Sequence, residues 1–504
     1  MSLDYDTLWT IFMLNASQGE SRMETTLSSS HVCQHWRNII LSSHSLWGRL
    51  VISTPKRKRD CIEEIILRSG SSPLWVEAVL DDTIPEFTTI LGRHWGRIER
   101  LEMNGAAIHL IQEHHISALW EVLHRPAPLL RSFSFINTDH ARSSIQNRGP
   151  LFAFDAPLLR TLVTNVIILP NSCPLFPHLR TLSWRLYGTL QEMFHCLKNL
   201  RFVECIVLRR TMMTEIVDRK ILDDLPRISL PHLTSLNMSF SALEPFVALF
   251  DRITVAPTGC IGDIRMEIRS RGEALNNCLR ELGHSLAKFV RNYVKHQSQR
   301  SKPHSLKIRV RNDQFDFNLD SGASEIRTSW RNYQGRHRAP SSRYLKLFFA
   351  AYITPNLSHI THLNIQPSTT CLENRYFKHF LYFLSYSSLS SSVTHLVTPI
   401  GFFRLLYQHN IQKHEGTLPS FDELYIEYLF PKLHTLHVKI PMLSTPLFFD
   451  LGLTSDWHIL LHFLRTRKAA ARGPSVLRIK DSVKEMPYFC DLLGEIPSLE
   501  IIWE

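Results

Sequence analysis

Near the start of the chain, apolar residues recur at helical spacing. Leu8, Ile11 and Phe12 fall on one face, with Leu3 ahead of them. Asp4 and Asp6 suit a first turn, where carboxylates meet free backbone N–H groups. A second helix is expected over 27–41: serines at 28–30 offer caps, and Val32, Cys33, Trp36, Ile39 and Ile40 repeat at spacings of three and four. The pattern breaks before Leu46 and Trp47, so a compact helical unit built around Trp36 and Trp47 is predicted.

Further along, a short phrase recurs: proline, then a leucine two positions on, then a second apolar residue three positions later. It reads Pro128-Leu129-Leu130-Arg131-Ser132-Phe133, Pro157-Leu158-Leu159-Arg160-Thr161-Leu162, Pro177-His178-Leu179-Arg180-Thr181-Leu182 and Pro231-His232-Leu233-Thr234-Ser235-Leu236. Later copies start at Pro355, Pro431 and Pro497, and weaker ones surround Leu101, Leu200 and Leu396. Proline presets an extended start, and the alternating apolar residues that follow make a short strand with one inward face. Segments 190–200 and 377–384 have helical spacing. Strand, loop and helix recurring in this way predict an irregular leucine-rich-repeat-like solenoid, in which stacking alone creates the core. The fold class expected is therefore α/β.

The largest irregularity spans 246–350. A helix is expected over 279–294. Leu306, Ile308 and Val310, then Phe315, Phe317 and Leu319, alternate with polar residues and predict a hairpin turning near 312–314. Residues 321–342 read as a polar, basic loop.

Composition narrows the class. Of 504 residues, 44% are hydrophobic and 20% charged, which fits a folded chain rather than a disordered one. The longest apolar stretches, 347–353 and 166–169, are too short to span a bilayer, and the acidic first thirty residues do not read as a secretory signal. Nine cysteines without a CxxC pair suggest reduced thiols and a cytoplasmic or nuclear setting. The net charge of +11 is concentrated at 288–346, where fourteen Lys/Arg face four acids; such a face attracts acidic partners or nucleic acid. Lys56-Arg57-Lys58-Arg59 has the composition of a nuclear address or of an exposed linker.

The 26 histidines invite a metal reading. His31 and His35 share a helical face in the expected second helix, but Cys33 between them points away; His114 and His115 are adjacent and cannot easily face one ion. His178, His232, His362, His395 and His434 sit in or beside the repeat phrase, so they are expected on one solvent-facing side of the array. No GxSxG, HExxH, Walker-type or GxGxxG element occurs, so neither a catalytic residue, a cofactor nor a metal is assigned.

The first residues resemble the F-box. Leu3-Asp4-Tyr5-Asp6-Thr7-Leu8-Trp9-Thr10-Ile11-Phe12 is similar to the family's opening Leu-Pro-x-Glu-Ile-Leu-x-x-Ile-Phe, with Asp4 at the usual proline and Asp6 at the usual glutamate. Ser30-His31-Val32-Cys33-Gln34-His35-Trp36-Arg37 and Ser43-His44-Ser45-Leu46-Trp47 resemble its second half. Leu67-Arg68-Ser69-Gly70-Ser71-Ser72-Pro73-Leu74 is similar to an element that follows F-boxes in large families of mushroom-forming fungi. The resemblance implies docking to a Skp-family adaptor and, through it, to a cullin–RING ubiquitin ligase. It assigns Leu3, Leu8, Ile11, Phe12, Val32, Trp36, Leu46 and Trp47 to the adaptor-binding motif, with Leu8, Ile11 and Phe12 favoured for the contact face.

The expected organisation is an F-box over 1–54, a linker or capping segment over 55–90, a first repeat array over 91–245, the basic insertion over 246–350, and a second array over 351–504. The reading is a non-enzymatic substrate receptor of an SCF-type ligase, with an unknown protein substrate on the array. The alternatives are a repeat scaffold with a vestigial F-box and a nucleic-acid-binding protein using 288–346.

Overall fold

A computed structural model gives the chain a mixed α/β architecture, with a helical region at the N-terminus and a largely parallel sheet. It describes residues 3–17, 19, 21–54, 59–80, 84–105, 112–137, 150–167, 169–170, 172–184, 187–213, 224–240, 249, 252–255, 261–268, 305–310, 314–320, 325–332, 357–367, 384, 389–413, 429–439, 453–470, 472–479 and 487–504. The chain divides into two compact units, one of residues 1–215 with 228–233, the other of 216–227 with 234–504.

The first unit opens with α1 (Tyr5–Ser17), α2 (Arg22–Ser30), α3 (Gln34–Ser42) and α4 (His44–Gly48). The single helix expected over 27–41 is thus two. Cys33 is extended (φ −158°), and its Sγ accepts the Trp36 amide at 3.4 Å, capping α3 where a longer helix would have run on. Next come β1 (Val51–Ser53), α5 (Arg59–Arg68), β2 (Leu74–Val79), α6 (Ile84–His94), β3 (Ile98–Asn104), α7 (Glu113–Leu123) and β4 (Ser132–Ile136). They are followed by β5 (Thr161–Thr164), β6 (Thr181–Trp184), β7 (Tyr187–Gly188), α8 (Leu190–Lys198), β8 (Cys205–Met213) and β9 (Ile228–Leu230). Within 55–90, α5 and β2 fill much of the segment, and β2 pairs with both β1 and β3. The sheet already begins at β1, inside the stretch assigned to the helical module.

Register explains the core. Val51, Val76, Leu101, Phe133, Leu162, Leu182 and Ile206 stand side by side across β1 to β6 and β8, and all are buried. Ala78, Met103, Phe135, Thr164, Trp184 and Leu208 form the next buried row. Because successive side chains of a strand point to opposite faces, residues between these rows, such as Glu77, Glu102 and Ser134, lie on the more open face.

The repeated phrase has one local geometry. Its first leucine closes a tight turn by donating its amide three residues back: Leu130 to Ala127, Leu159 to Ala156, Leu179 to Phe176, Leu233 to Leu230 and Leu433 to Phe430. In each copy the proline is the second residue of that turn, the position its fixed φ favours. The proline thus sets a turn, and the extended strand begins a few residues later. Both apolar residues of the phrase are buried in all five copies.

In the second unit the strands are β10 (Ser235–Phe240), β11 (Ile253–Val255), β12 (Ile261–Ile268), β13 (Ser305–Val310), β14 (Gln314–Asp320), β15 (Glu325–Asn332), β16 (His362–Pro367), β17 (His395–Pro399), β18 (Thr435–Lys439), β19 (Val476–Ile479) and β20 (Glu500–Trp503). The helices are α9 (Leu389–Ser392), α10 (Gly401–Lys413), α11 (Leu453–Ala469) and α12 (Pro487–Gly494). Parallel pairing runs β16–β17–β18–β19–β20, with Leu363, Leu396, Leu436, Leu477 and Ile501 in one row. α10 and α11 pack together through Phe403 and Phe463, whose ring centroids are 4.9 Å apart.

The hairpin expected at 306–319 is present as β13 and β14, paired antiparallel from Ser305↔Asp320 to Val310↔Phe315. It is a member of the sheet rather than an excursion from it. β13 pairs in parallel with β16, β14 continues antiparallel into β15, and β15 pairs in parallel with β12. β15 also replaces part of the loop expected over 321–342. The helix expected over 279–294, the 377–383 helical segment, the run 56–58 and most of the basic stretch 288–346 lie outside the described residues.

Candidate functional site

The N-terminal helices carry the candidate site, and burial divides the residues that the sequence singled out there. Leu8, Phe12, Leu46 and Trp47 are core, each at most 3% exposed. Phe12 meets the half-buried Trp36 edge-to-face with centroids 5.2 Å apart, and Trp47 donates its indole N–H to the Ile40 carbonyl at 2.9 Å. Leu8 and Phe12, favoured for the contact face, instead hold the module together. Leu3, Ile11 and Val32 stay in solvent, at 53%, 38% and 60% exposure.

The module exposes more apolar residues than the motif positions alone. Tyr5, Trp9, Leu14, Leu27 and Leu41 are exposed as well. All eight residues lie on or beside α1 to α3, three helices that pack on one another. Among the other described residues, the exposed large hydrophobics are Leu67, Leu129 and Phe202. The available signal was that α1 is apolar around most of its circumference. A helix that short cannot bury every side, so part of it must face a partner or solvent.

Local chemistry sets the geometry of this surface. The Thr7 amide donates to Asp4 Oδ1 at 2.7 Å, capping α1, and that backbone bond holds the Asp4 carboxyl below the ordinary carboxylate range. Arg37 donates from Nε to the Ser30 carbonyl at 3.1 Å, tying α3 back to the end of α2. Arg22, nearly buried, pairs with Glu77 on β2 at 2.9 Å, and the Arg49 guanidinium lies 4.4 Å from the centre of the Trp75 ring. Burial pushes the Arg49 pKa down.

The element at 67–74 acts as the bracket between helices and sheet. Gly70 follows α5 with φ +52°, a left-handed conformation that suits glycine, and the His44 ring sits against it. His44 Nδ1 lies 2.7 Å from the Arg68 carbonyl. Arg97 donates from Nη2 to Ser69 Oγ at 2.9 Å and to the Ser72 carbonyl at 2.7 Å. Gly48 closes α4 against the Pro73 carbonyl so tightly that a Cβ there would stand 2.4 Å from it.

Other candidate chemistry finds little support. His31 ends α2 while His35 lies within α3, so they do not share one helix. The His114 and His115 rings are 3.8 Å apart. Among the described residues no group of three or more His, Cys, Asp or Glu is placed to hold a metal, and no helix is long and apolar enough to cross a membrane. His362 and His395 do meet, stacked at 4.2 Å on neighbouring strands. Burial first, then His362, His434 and Arg478, lower the His395 pKa. The buried thiols of Cys173 and Cys196 are pushed up to about 11 and about 12, which leaves them protonated and unreactive at neutral pH. The chain matches no family model and no curated protein.

Proposed function

We propose that this chain is the substrate-recognition subunit of an SCF-type ubiquitin ligase. Its N-terminal helices act as an F-box that docks a Skp-family adaptor, and its sheet-and-helix array acts as a leucine-rich-repeat-like solenoid that holds a protein substrate. The chain itself contributes recognition rather than chemistry.

The observation that carries this reading is the concentration of exposed apolar side chains on α1 to α3, where the resemblance to the F-box also lies. Monomeric proteins seldom leave so many large apolar residues in solvent on one small element, and such surfaces mark protein partners. Leu3, Ile11 and Val32 belong to both sets, so they are the residues we assign to adaptor contact. Leu8, Phe12, Leu46 and Trp47 shape that surface from beneath, and Trp36 forms its edge with Phe12. The solenoid reading rests on the shared turn of the repeat phrase and on rows of apolar residues in register.

The test is a pull-down of the purified full chain with a Skp-type adaptor and a cullin–RING core. Capture of all partners through the adaptor is the expected result. A folded chain that captures no adaptor, at concentrations where other receptors do, would remove the reading and leave a repeat scaffold in its place.

A further inference from the structure

In three copies of the repeat phrase an arginine follows the leucine that stands two positions after the proline, as Arg131, Arg160 and Arg180, and the sheet aligns those positions. In the first unit, the Arg131 amide donates to the Glu99 carbonyl at 2.8 Å, Arg160 to Arg131 at 2.9 Å, Arg180 to Arg160 at 2.8 Å and Glu204 to Arg180 at 2.7 Å. The resulting column at the strand starts reads Glu99, Arg131, Arg160, Arg180, Glu204. Neighbouring strands are about 4.8 Å apart, so the three arginines span about 10 Å.

The ends of the column are neutralised and the middle is not. Arg131 pairs with Glu99 at 3.0 Å, and Arg180 pairs with Glu204 at 3.1 Å. Arg160 is half-buried; its Nη1 donates to the Pro157 and Leu159 carbonyls at 3.1 and 3.0 Å, and no carboxylate among the described residues pairs with it. Those two backbone bonds fix the guanidinium without cancelling its charge. The next positions along the strands, Ser132, Thr161 and Thr181, are also in register, and by strand alternation they belong to the opposite side from the arginines. Arg131 and Arg180 are both well exposed, so this ledge of donors faces solvent.

We propose that the Arg131–Arg160–Arg180 column is a binding ledge for an anionic segment of a partner protein, with Arg160 receiving an oxyanion group from that segment. A guanidinium takes a carboxylate or a phosphate oxygen pair through two parallel N–H bonds, and spacing across strands suits a chain lying across the sheet. The flanking glutamates limit the length of the ledge and repel a segment placed out of register. As a statement of substrate class this rests on the receptor reading, but binding by the isolated chain is measured without any adaptor, so the two fail separately.

The experiment is fluorescence anisotropy of the full chain with three labelled peptides, one rich in glutamate, one with phosphoserines at the same positions, and one with glutamines there. Variants Arg160→Glu, Arg160→Lys and, as a distant exposed control, Arg93→Glu are compared at about 0.15 M salt. Expected is binding of the acidic peptide and not of the glutamine peptide, weakened about tenfold or more by Arg160→Glu, less by Arg160→Lys, and not by Arg93→Glu. Tighter binding of the phosphoserine peptide with the same dependence on Arg160 supports the ledge and identifies phosphate as its preferred group. Melting curves verify that each variant is folded; should Arg160→Glu unfold, Arg160→Lys carries the comparison. No binding by the wild-type chain, equal loss in Arg93→Glu, or stronger Arg160-dependent binding of RNA or duplex DNA would each overturn the proposal.

Discussion

Replacing Gly48 with alanine forces the helical module and the bracket at 67–74 apart. An added Cβ would stand 2.4 Å from the Pro73 carbonyl oxygen, where ordinary contact begins near 3.4 Å, so roughly an ångström of movement is needed. Neither side yields easily. Gly48 follows the buried Trp47, and the Pro73 peptide adjoins Ser72, whose carbonyl accepts from Arg97 at 2.7 Å and whose amide donates to Ser69 at 3.0 Å. Overpacking a rigid site costs about 1–3 kcal/mol, and a backbone atom as the obstacle sets the value near the top of that range. Alanine recovers at most about 1 kcal/mol of helix propensity at the last residue of α4, leaving a net loss of about 2 kcal/mol. For a unit of this size that is a fall in Tm of about 4–8 °C. The assay is thermal unfolding followed by circular dichroism, with Gly96→Ala, where nothing lies within 4 Å, as the matched control. If Gly48→Ala melts together with Gly96→Ala, the tight seating of α4 on the bracket is refuted.

Further outcomes follow from the same geometry. Arg467, 1% exposed, donates to the carbonyls of Leu429, Phe430 and Arg472, and so holds a turn at Phe430 whose φ is +57°; Arg467→Met is expected to cost about 3–5 kcal/mol, and a loss under about 1 kcal/mol on denaturant unfolding would contradict this. Brief alkylation of the native chain at pH 8, read by peptide mass, is expected to modify the exposed Cys33 and Cys61 and to spare Cys173 and Cys196; early labelling of the latter pair would refute their burial. His94, His395 and His437 are all held below the ordinary imidazole value of 6.5, chiefly by burial. Their unfolded forms therefore bind protons first, so stability is full above pH 6.5 and declines as pH falls below it; Tm that is flat or rising from pH 7 to 5.5 would contradict that sign.

What the sequence conveys best is local. The Pro-x-Leu phrase is readable because its turn spans only four residues and its two apolar anchors are close neighbours in the chain. The row Phe133, Leu162, Leu182 then follows from stacking alone. The hairpin of β13 and β14 is legible by alternation, but its place in the sheet is not. That place depends on β13 meeting β16 and β15 meeting β12, partners that no short window contains. The break between α2 and α3 was hidden because Val32 and Cys33 continue the helical period, and Cys33 is an unusual cap. In α1 the apolar residues go nearly all the way round, so the period could not say that Leu8 and Phe12 turn inward while Ile11 turns out. The same ambiguity concealed Tyr5, Trp9 and Leu14. The arginine column needs register as well as sequence: Arg131, Arg160 and Arg180 sit in plain view in the phrase, but only pairing brings them side by side.

The most direct test of the central claim is calorimetric titration of a Skp-family adaptor into the wild-type chain and into Ile11→Asp, Val32→Asp and Phe12→Ala, with the melting temperature of each. Because Ile11 and Val32 are exposed, their variants are predicted to keep the wild-type Tm and to lose adaptor affinity about tenfold or more, whereas Phe12→Ala, by emptying the core under Trp36, is predicted to lower stability by about 3–5 kcal/mol. Adaptor affinity unchanged in both Ile11→Asp and Val32→Asp, or absent from a well-folded wild type, would contradict the assignment of this surface to adaptor docking.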